Sequence, residues 1–381
     1  MQFNTHIFCK VIDNFGDLGV CWRLARQLAS EQQHTVTLWV DDWATVQYMT
    51  RQASNSESTQ IAHVVFRHWS DDQCLVQAMA LEPHPVDWLI EGFGCRLPDA
   101  LLSQIAQQSP PACWVNLEYL SAEAWIKDCH GLISDHPRLN IRQHFFFPSV
   151  TPESGGLLRE QGLLEQIDTF QQHNFWQKYG INSSDFSMKI SLFAYAHVPL
   201  VELLNQLRDY PSPVLLAMTD SGHRQAVQDW LATQSLGLPS HHAVVDCGSL
   251  TLLRLPFLSH TEFDQLLWTC DLNLIRGEDS CVRAMWAAQV WLWHIYPQDE
   301  DAHQDKLSAM INTMHDVLIG LDDQALQVWQ QTLLHYGMSQ LPDWSLFLAY
   351  QPRIKPLAQR WQQYLGNQTD LVSRLLELSA K

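Results

Sequence analysis

The stretch Ile7-Phe8-Cys9-Lys10-Val11-Ile12-Asp13-Asn14-Phe15-Gly16-Asp17-Leu18-Gly19 decides how this chain reads. Ile7 to Ile12 is a short apolar segment of the kind that forms a buried strand. From Val20 to Ala29, Val20, Leu24, Ala25 and Leu28 recur at helical spacing. A strand, a glycine-containing turn with two carboxylates, and a helix therefore follow one another directly. Such a turn lies at the carboxyl end of a strand, where open α/β sheets bind ligands. The helix start adds unpaired N–H groups and the positive end of a dipole. The same logic returns downstream: Asp271 to Ile275 reads as a strand, Arg276-Gly277-Glu278-Asp279-Ser280 as a turn, and Cys281 to Gln289 as a helix. Two such turns imply one active site built between two α/β halves.

Around these turns the chain alternates strand and helix. In the first half strands are expected at Thr35–Val40, His63–Phe66, Val86–Ile90, Ala112–Asn116 and Gly131–Ser134. Ser54 to Gln60 is polar and reads as a loop, and Pro137 to about Ser187 is less regular. The alternation resumes at Lys189–Phe193, Val214–Met218, Leu252–Leu255 and Val290–Tyr296. This pattern predicts parallel sheets with helices on both faces. The expected division is a first Rossmann-like domain over 1–184, a second over 185–354, and helices over 355–381 that cross back onto the first.

The chain has 381 residues, of which 46% are hydrophobic and 17% charged, with sixteen tryptophans, nine cysteines and a net charge of −18. Trp39, Trp88, Trp114, Trp268, Trp291 and Trp293 lie in apolar runs and read as core rather than as sugar-stacking platforms. The cysteine count is odd and no Cys-x-x-Cys pair occurs, so reduced, mostly buried thiols are expected. The acidic balance argues against a nucleic-acid partner, which calls for basic patches. It is compatible with encounter with a basic segment of a protein partner, but charge alone favours the plainer reading of solubility. No apolar run reaches membrane-span length and the N-terminus carries no signal-peptide pattern, so a cytoplasmic protein without membrane contact is expected.

Several chemistries are excluded by what the motifs lack. Gly16 and Gly19 do not complete a dinucleotide fingerprint, and no Walker A loop, metal-binding His-Glu-x-x-His or Gly-x-Ser-x-Gly elbow is present. Asp41-Asp42 lacks the Asp-x-Asp form and reads as a strand-end pair. No metal site is expected. In the first turn Asp13 and Asp17 read either as turn and helix-start residues or as a general base facing a cleft. In the second, Arg276 and the helix start with Ser280 suit a diphosphate, and Glu278 suits ribose hydroxyls. A salt-bridged helix cap from Arg276 to Asp279 is the structural alternative.

The chain resembles the EarP family of protein-arginine rhamnosyltransferases, which modify bacterial translation elongation factor P. The resemblance runs end to end. It rests on Asp13-Asn14-Phe15-Gly16-Asp17 with Gly19-Val20 and Trp22 to Leu28, on Asn116 to Glu123, on Phe193-Ala194-Tyr195 and on Leu255-Pro256-Phe257. Arg276-Gly277-Glu278-Asp279-Ser280 and Trp293 to Gln298 complete it. It implies a GT-B fold, with two Rossmann-like halves facing across a cleft. It further implies metal-independent, inverting transfer of L-rhamnose from dTDP-β-L-rhamnose to a guanidino nitrogen of one arginine of elongation factor P. That modification would activate the factor for rescue of ribosomes stalled at polyproline. No cofactor beyond the donor substrate is implied.

By the same resemblance Asp17 would be the base or orienting carboxylate and Asp13 its support. Asn14, Phe15 and Gly16 would border the sugar. Tyr195 and Glu278 would bind the nucleotide side, Phe257 the thymine with Leu255 and Pro256 also donor-binding, and Arg276, Gly277, Glu278, Asp279 and Ser280 the ribose and diphosphate. Tyr296 and Gln298 would line the cleft. A guanidinium loses its proton only above pH ~12, so a carboxylate titrating near ~4 cannot deprotonate it in the ground state. The expected role of Asp17 is to hold one N–H and accept the proton as the C–N bond forms, and Glu278 is the alternative for that part. The acceptor is expected to be a folded domain. Two rival functions are a two-domain nucleotide-sugar epimerase or hydrolase and a non-catalytic binder of a translation factor.

Overall fold

The computed structural model describes residues 3–13, 15–51, 58–297 and 302–380. They divide into two compact units, residues 1–161 with 368–381 and residues 162–367. In the first unit the strands are β1 (Asn4–Cys9), β2 (Thr35–Val40), β3 (Ser58–Ile61), β4 (Val64–His68), β5 (Trp88–Gly92), β6 (Cys113–Leu117), β7 (Ile133–Asp135) and β8 (Arg142–Phe146). They form one sheet in the order β3-β4-β2-β1-β5-β6-β8-β7. The edge strands β3 and β7 are antiparallel to their neighbours and the other pairings are parallel.

The second unit contains β9 (Met188–Leu192), β10 (Val214–Met218), β11 (Val244–Cys247), β12 (Leu250–Arg254), β13 (Leu272–Arg276) and β14 (Val290–His294). Their order is β11-β12-β10-β9-β13-β14, with only β11 antiparallel among the described strands. The central strands of both units thus share one winding order, β4-β2-β1-β5-β6 and β12-β10-β9-β13-β14. In each, the sheet grows one way from its first strand and then reverses. The reversal falls between β1 and β5 in one unit and between β9 and β13 in the other, the position where doubly wound sheets open a crevice.

Side-chain alternation along β1 shows how the sheet is buried on both faces. Ile7 and Cys9 join Leu18, Leu24 and Leu28 of the helix Phe15–Glu31, whereas Phe8 points to a second cluster with Trp39, Leu89, Leu101 and Leu102. The six tryptophans read as core are all buried. The nine cysteines are free thiols, most of them buried. Among the described residues no helix is long and apolar enough to cross a membrane.

Several boundaries differ from the sequence reading. β1 ends at Cys9, so Lys10 to Ile12 belong to the turn, and the helix begins at Phe15 rather than Val20. Gly16, Asp17, Leu18 and Gly19 therefore form the first helical turn. Likewise Glu278 to Ser280 open the helix Glu278–Trp286 rather than preceding it. The strands β3, β8 and β11 were not expected from the pattern. β3 and β11 are edge strands with half-polar sequences, STQI and VVDC, and edges need no apolar continuity.

The units divide after Gln161, where the sequence reading placed the division after residue 184. Phe175, Trp176 and Ile181 pack with Leu215, Leu253 and Leu266 of the second unit. The helix over Lys355 to Leu365 is the end of a longer one, Trp344–Gly366, which also belongs to the second unit and is capped by Asp343 accepting from Leu346 N–H. Only the final turns return to the first unit, where Leu371, Val372 and Leu375 complete its core.

The return is fixed by backbone contacts. Leu371 N–H donates to the Leu157 carbonyl at 2.9 Å, and Arg159 Nη2 to the Gln368 carbonyl at 3.1 Å. Gly156 lies beneath them with φ +67°, and a Cβ there would stand 2.5 Å from the Thr369 carbonyl oxygen. Gly156→Ala is therefore expected to destabilise the protein by roughly 1–3 kcal/mol or more, from left-handed strain plus the displaced return segment. Urea unfolding followed by tryptophan fluorescence measures this; an unchanged midpoint would show that the segment docks without that close approach.

Candidate functional site

The reversal in the first unit places the Asp13–Gly19 segment at the carboxyl end of β1. Asp17 is buried, and its Oδ2 accepts from the backbone N–H groups of Ile12 at 2.8 Å and Asp13 at 2.9 Å. One carboxylate oxygen thus ties the turn to the helix that follows it. Gly16 N–H donates to the Asp13 carbonyl at 2.6 Å, and a Cβ on Gly16 would lie 2.8 Å from Asp13 Oδ2. The glycine allows the Asp13 side chain to lie over the helix start. Nearby, Asp41 at the end of β2 accepts from Val11 N–H at 2.9 Å, and Phe15 stacks on Tyr48 at 5.0 Å. Asp42 caps the helix Trp43–Thr50, so the Asp41-Asp42 pair is structural at its strand end.

On the neighbouring strand, Glu91 of β5 is buried and accepts from Arg96 N–H at 2.6 Å, Gln143 Nε2 at 2.9 Å and Trp114 Nε1 at 3.2 Å. Burial pushes its carboxyl above the ordinary range, against the pull of those donors. Its three partners mark it as the brace of the loop after β5.

The reversal in the second unit gathers most of the other sequence-predicted residues. Phe193, Ala194 and Tyr195 follow β9. Arg276 closes β13, and its guanidinium carbon lies 4.7 Å from the Phe193 ring centroid and 4.5 Å from that of Tyr195. Gly277, Glu278, Asp279 and Ser280 lead into the helix Glu278–Trp286, and the Gly277 carbonyl accepts from Trp293 Nε1 at 2.9 Å. Glu278 is paired with Lys306 at 2.8 Å. That helix is anchored by a buried bidentate pair, with Arg283 Nη2 and Nε donating to Asp264 at 2.8 and 3.2 Å. Leu255, Pro256 and Phe257 leave the end of β12, where Leu255 N–H bonds the Met218 carbonyl at 2.8 Å. Tyr296 follows β14, is 40% exposed, and meets the Tyr195 ring at 5.6 Å. Asn14 and Gln298 lie outside the described residues.

Sequence reading missed the side chains that support this cluster. His223 Nδ1 lies 3.1 Å from Ala194 N–H, and His294 Nδ1 lies 3.3 Å from Tyr195 N–H. Both imidazoles are fully buried. Burial first, then the nearby His197 and Arg276, pull His294 down to about 3. Burial, with Arg276 adding to it, pulls His223 down to about 4 even though the Ala194 backbone opposes the shift. His223 opens a helix and His294 ends an apolar strand, and neither position signals by its local pattern which backbone N–H it faces; the three-dimensional pairing reveals that. Among the described residues no group of three or more His, Cys, Asp or Glu is arranged to hold a metal ion.

The chain is similar to known proteins in sequence and fold. A family model described as the elongation factor P (EF-P) rhamnosyltransferase EarP matches residues 5–380. A protein-arginine rhamnosyltransferase of Pseudomonas putida is 39% identical over 386 residues, covering 99% of this chain and 98% of the relative. One from Pseudomonas aeruginosa is also 39% identical, covering 98% of each. A solved structure described as the basis for EarP-mediated arginine glycosylation of translation elongation factor EF-P is 28% identical. It superposes with a TM-score of 0.64 over 99% of this chain and 98% of that one. A UDP-GlcNAc 2-epimerase from Neisseria meningitidis, 12% identical with a TM-score of 0.51 over the whole of both chains, shares the fold alone. The fold is GT-B.

The buried histidines make stability depend on pH in a defined direction. Each stays neutral when folded and protonates near pH ~6.5 when unfolded. Their stabilisation is therefore complete above that value and is lost as pH falls toward their folded values of about 3 and about 4. Each should add a slope of up to about 1.4 kcal/mol per pH unit over that window. Unfolding free energies of the parent and of His223→Asn, measured between about pH 4.5 and pH 6, should differ in slope by about that amount. Parallel slopes would mean that His223 is protonated in the folded state.

Proposed function

Since the chain belongs to the EF-P rhamnosyltransferase family, we propose that it transfers L-rhamnose from dTDP-β-L-rhamnose to a guanidino nitrogen of one arginine of elongation factor P, with inversion at the anomeric carbon. The observation that carries the donor assignment is the cluster at the β9/β13 reversal. There a buried arginine lies over two aromatic rings and runs directly into a helix start. A diphosphate is held in such a place by the fixed guanidinium charge, by backbone N–H groups and by the Ser280 hydroxyl. Tyr195 and Tyr296 meet beside these strand ends, and Leu255, Pro256 and Phe257 leave the end of β12 in the same sheet; together they suit the base and ribose. Glu278, already held by Lys306, is suited to accept from ribose hydroxyls rather than to take a proton.

The first unit supplies the carboxylates. Asp17 holds a guanidino N–H of the acceptor and takes its proton as the C–N bond forms, while Asp13 orders the turn. The bond from the sugar to the β-phosphate oxygen breaks, its electron pair stays on that oxygen, and Arg276 stabilises the charge that develops there. No metal enters the reading. The acceptor is a folded domain, because a weak nucleophile gains most from an ordered approach, worth roughly 7–11 kcal/mol when pre-organised.

The direct test is the intact mass of purified elongation factor P after incubation with this protein and dTDP-β-L-rhamnose. One added deoxyhexosyl residue per chain is expected, lost when the acceptor arginine is changed to lysine. Release of dTDP and free sugar with unmodified acceptor would support a hydrolase instead. Asp17→Asn should lower transfer by about 10²–10⁴-fold while leaving dTDP affinity within a few-fold. Arg276→Ala should weaken dTDP by roughly ten- to a hundredfold in calorimetry, the worth of a charged hydrogen bond. Unchanged affinity in the folded variant would move the nucleotide to another part of the chain.

A further inference from the structure

We infer that His294 is a positioning residue for the donor site: its neutral imidazole fixes the backbone at Tyr195 and so holds the ring platform on which Arg276 lies. The inference rests on the assignment of the nucleotide to the β9/β13 reversal.

The geometry fixes the tautomer. A backbone N–H can only donate, and Tyr195 N–H points at His294 Nδ1 at 3.3 Å. Nδ1 is therefore the acceptor and the ring proton sits on Nε2. Nε2 lies 2.9 Å from Ser339 Oγ, which accepts that proton. One imidazole thus links the segment after β9 to the loop after the helix Asp323–Gly337. His294 is itself the last residue of β14, so the strand beyond β13 sets the height of Tyr195. Ring contacts complete the packing: His294 meets Tyr195 at 5.4 Å, His197 at 4.9 Å and Tyr336 at 5.6 Å.

A second clamp acts one residue earlier. His223 Nδ1 faces Ala194 N–H, and Ser221 Oγ donates to the Ala194 carbonyl at 3.0 Å. Gly222 packs so closely that a Cβ there would lie 2.6 Å from Ala196 N. The Phe193–Tyr195 segment is gripped from two sides, by the loop after β10 through Ser221 and His223 and by His294 at the end of β14, the strand beyond β13. Without the grip, the two rings would be free to rotate away from the guanidinium. Arg276 would then lose the stacking that holds its fork in one orientation. A protonated His294 could not serve, because both ring nitrogens would donate and a second cation would stand beside Arg276. Burial keeps it neutral through the physiological range.

The test compares His294→Asn, His294→Gln and His294→Ala. Asparagine places an acceptor oxygen near the Nδ1 position, whereas glutamine reaches the Nε2 position and leaves Tyr195 N–H without its acceptor. Glutamine is closer to histidine in volume, so a role in packing alone ranks Gln above Asn. The positioning role ranks Asn above Gln. Calorimetric titration with dTDP should show Ala and Gln weakened about five- to tenfold, the worth of one hydrogen bond, and Asn within about twofold of the parent. With donor saturating, kcat should stay within about twofold while the donor KM follows affinity.

Gln equal to or better than Asn, or Ala unchanged, would overturn the inference. If His294→Ala does not fold, Ser339→Ala carries the test, since it removes the acceptor of the Nε2–H and with it the bond that holds the ring on its far side. It should weaken dTDP about threefold, and unchanged affinity would count against the inference. Arg276→Ala measured alongside separates the two claims. If it leaves dTDP affinity unchanged, the nucleotide assignment fails. Amide exchange at Tyr195 then judges the positioning role alone: faster in the Ala and Gln variants but not in Asn supports it, and equal rates refute it.

Discussion

Each sheet changes the direction of its growth once, between β1 and β5 in the first unit and between β9 and β13 in the second. At such a reversal the two flanking connections leave toward opposite faces. In the first unit the helix after β1 covers the face of Ile7 and Cys9, whereas the helix Asp99–Ile105 that follows β5 covers the face of Phe8. Loops that part in this way cannot close over the strand ends. They leave backbone N–H groups and a helix start facing outward. The residues proposed to carry function occupy these two places, where the winding order lets polar groups converge at a strand end.

In the second unit the reversal also solves an electrostatic problem. Arg276 is 8% exposed, so its charge must be met by something other than bulk water. The faces of Phe193 and Tyr195 supply part of that. Two neutral imidazoles hold the segment that carries those rings. Neutrality is itself a product of the site, since burial and the same arginine suppress protonation of His223 and His294. The charge, its aromatic platform and the platform's supports therefore form one mutually dependent group.

Much of this was legible before any coordinates. The alternating apolar runs gave the central strands of both units, because a parallel strand buried on both faces has no room for polar interruption. Arg276 to Ser280 and Asp13 to Asp17 stood out because each joins a strand end to a helix start, although each composition also has a structural reading, and it was the pair of turns together that pointed to a site. The edge strands β3 and β11 escaped, since half-exposed pairs need only backbone bonds. The helix starts were read several residues late, because Gly16, inside the first helical turn, and Gly277, just before its helix, looked like turn residues. Residues 162–184 were assigned to the wrong side of the division because their anchors, Phe175 and Trp176, pack far along the chain. His294 stood within the Trp293 to Gln298 stretch but with no role read for it, and His223 was not singled out, because a buried imidazole facing a distant backbone N–H leaves no trace in local pattern.

The central claim is that the donor's diphosphate is held at the β9/β13 reversal. A crystal structure of the protein with dTDP tests it directly. The β-phosphate is expected within hydrogen-bond distance of Arg276 and of the Asp279 and Ser280 N–H groups, with Tyr195 and Phe193 unmoved beneath the guanidinium. A diphosphate bound instead at the Asp13–Gly19 turn, with Arg276 untouched, would contradict it.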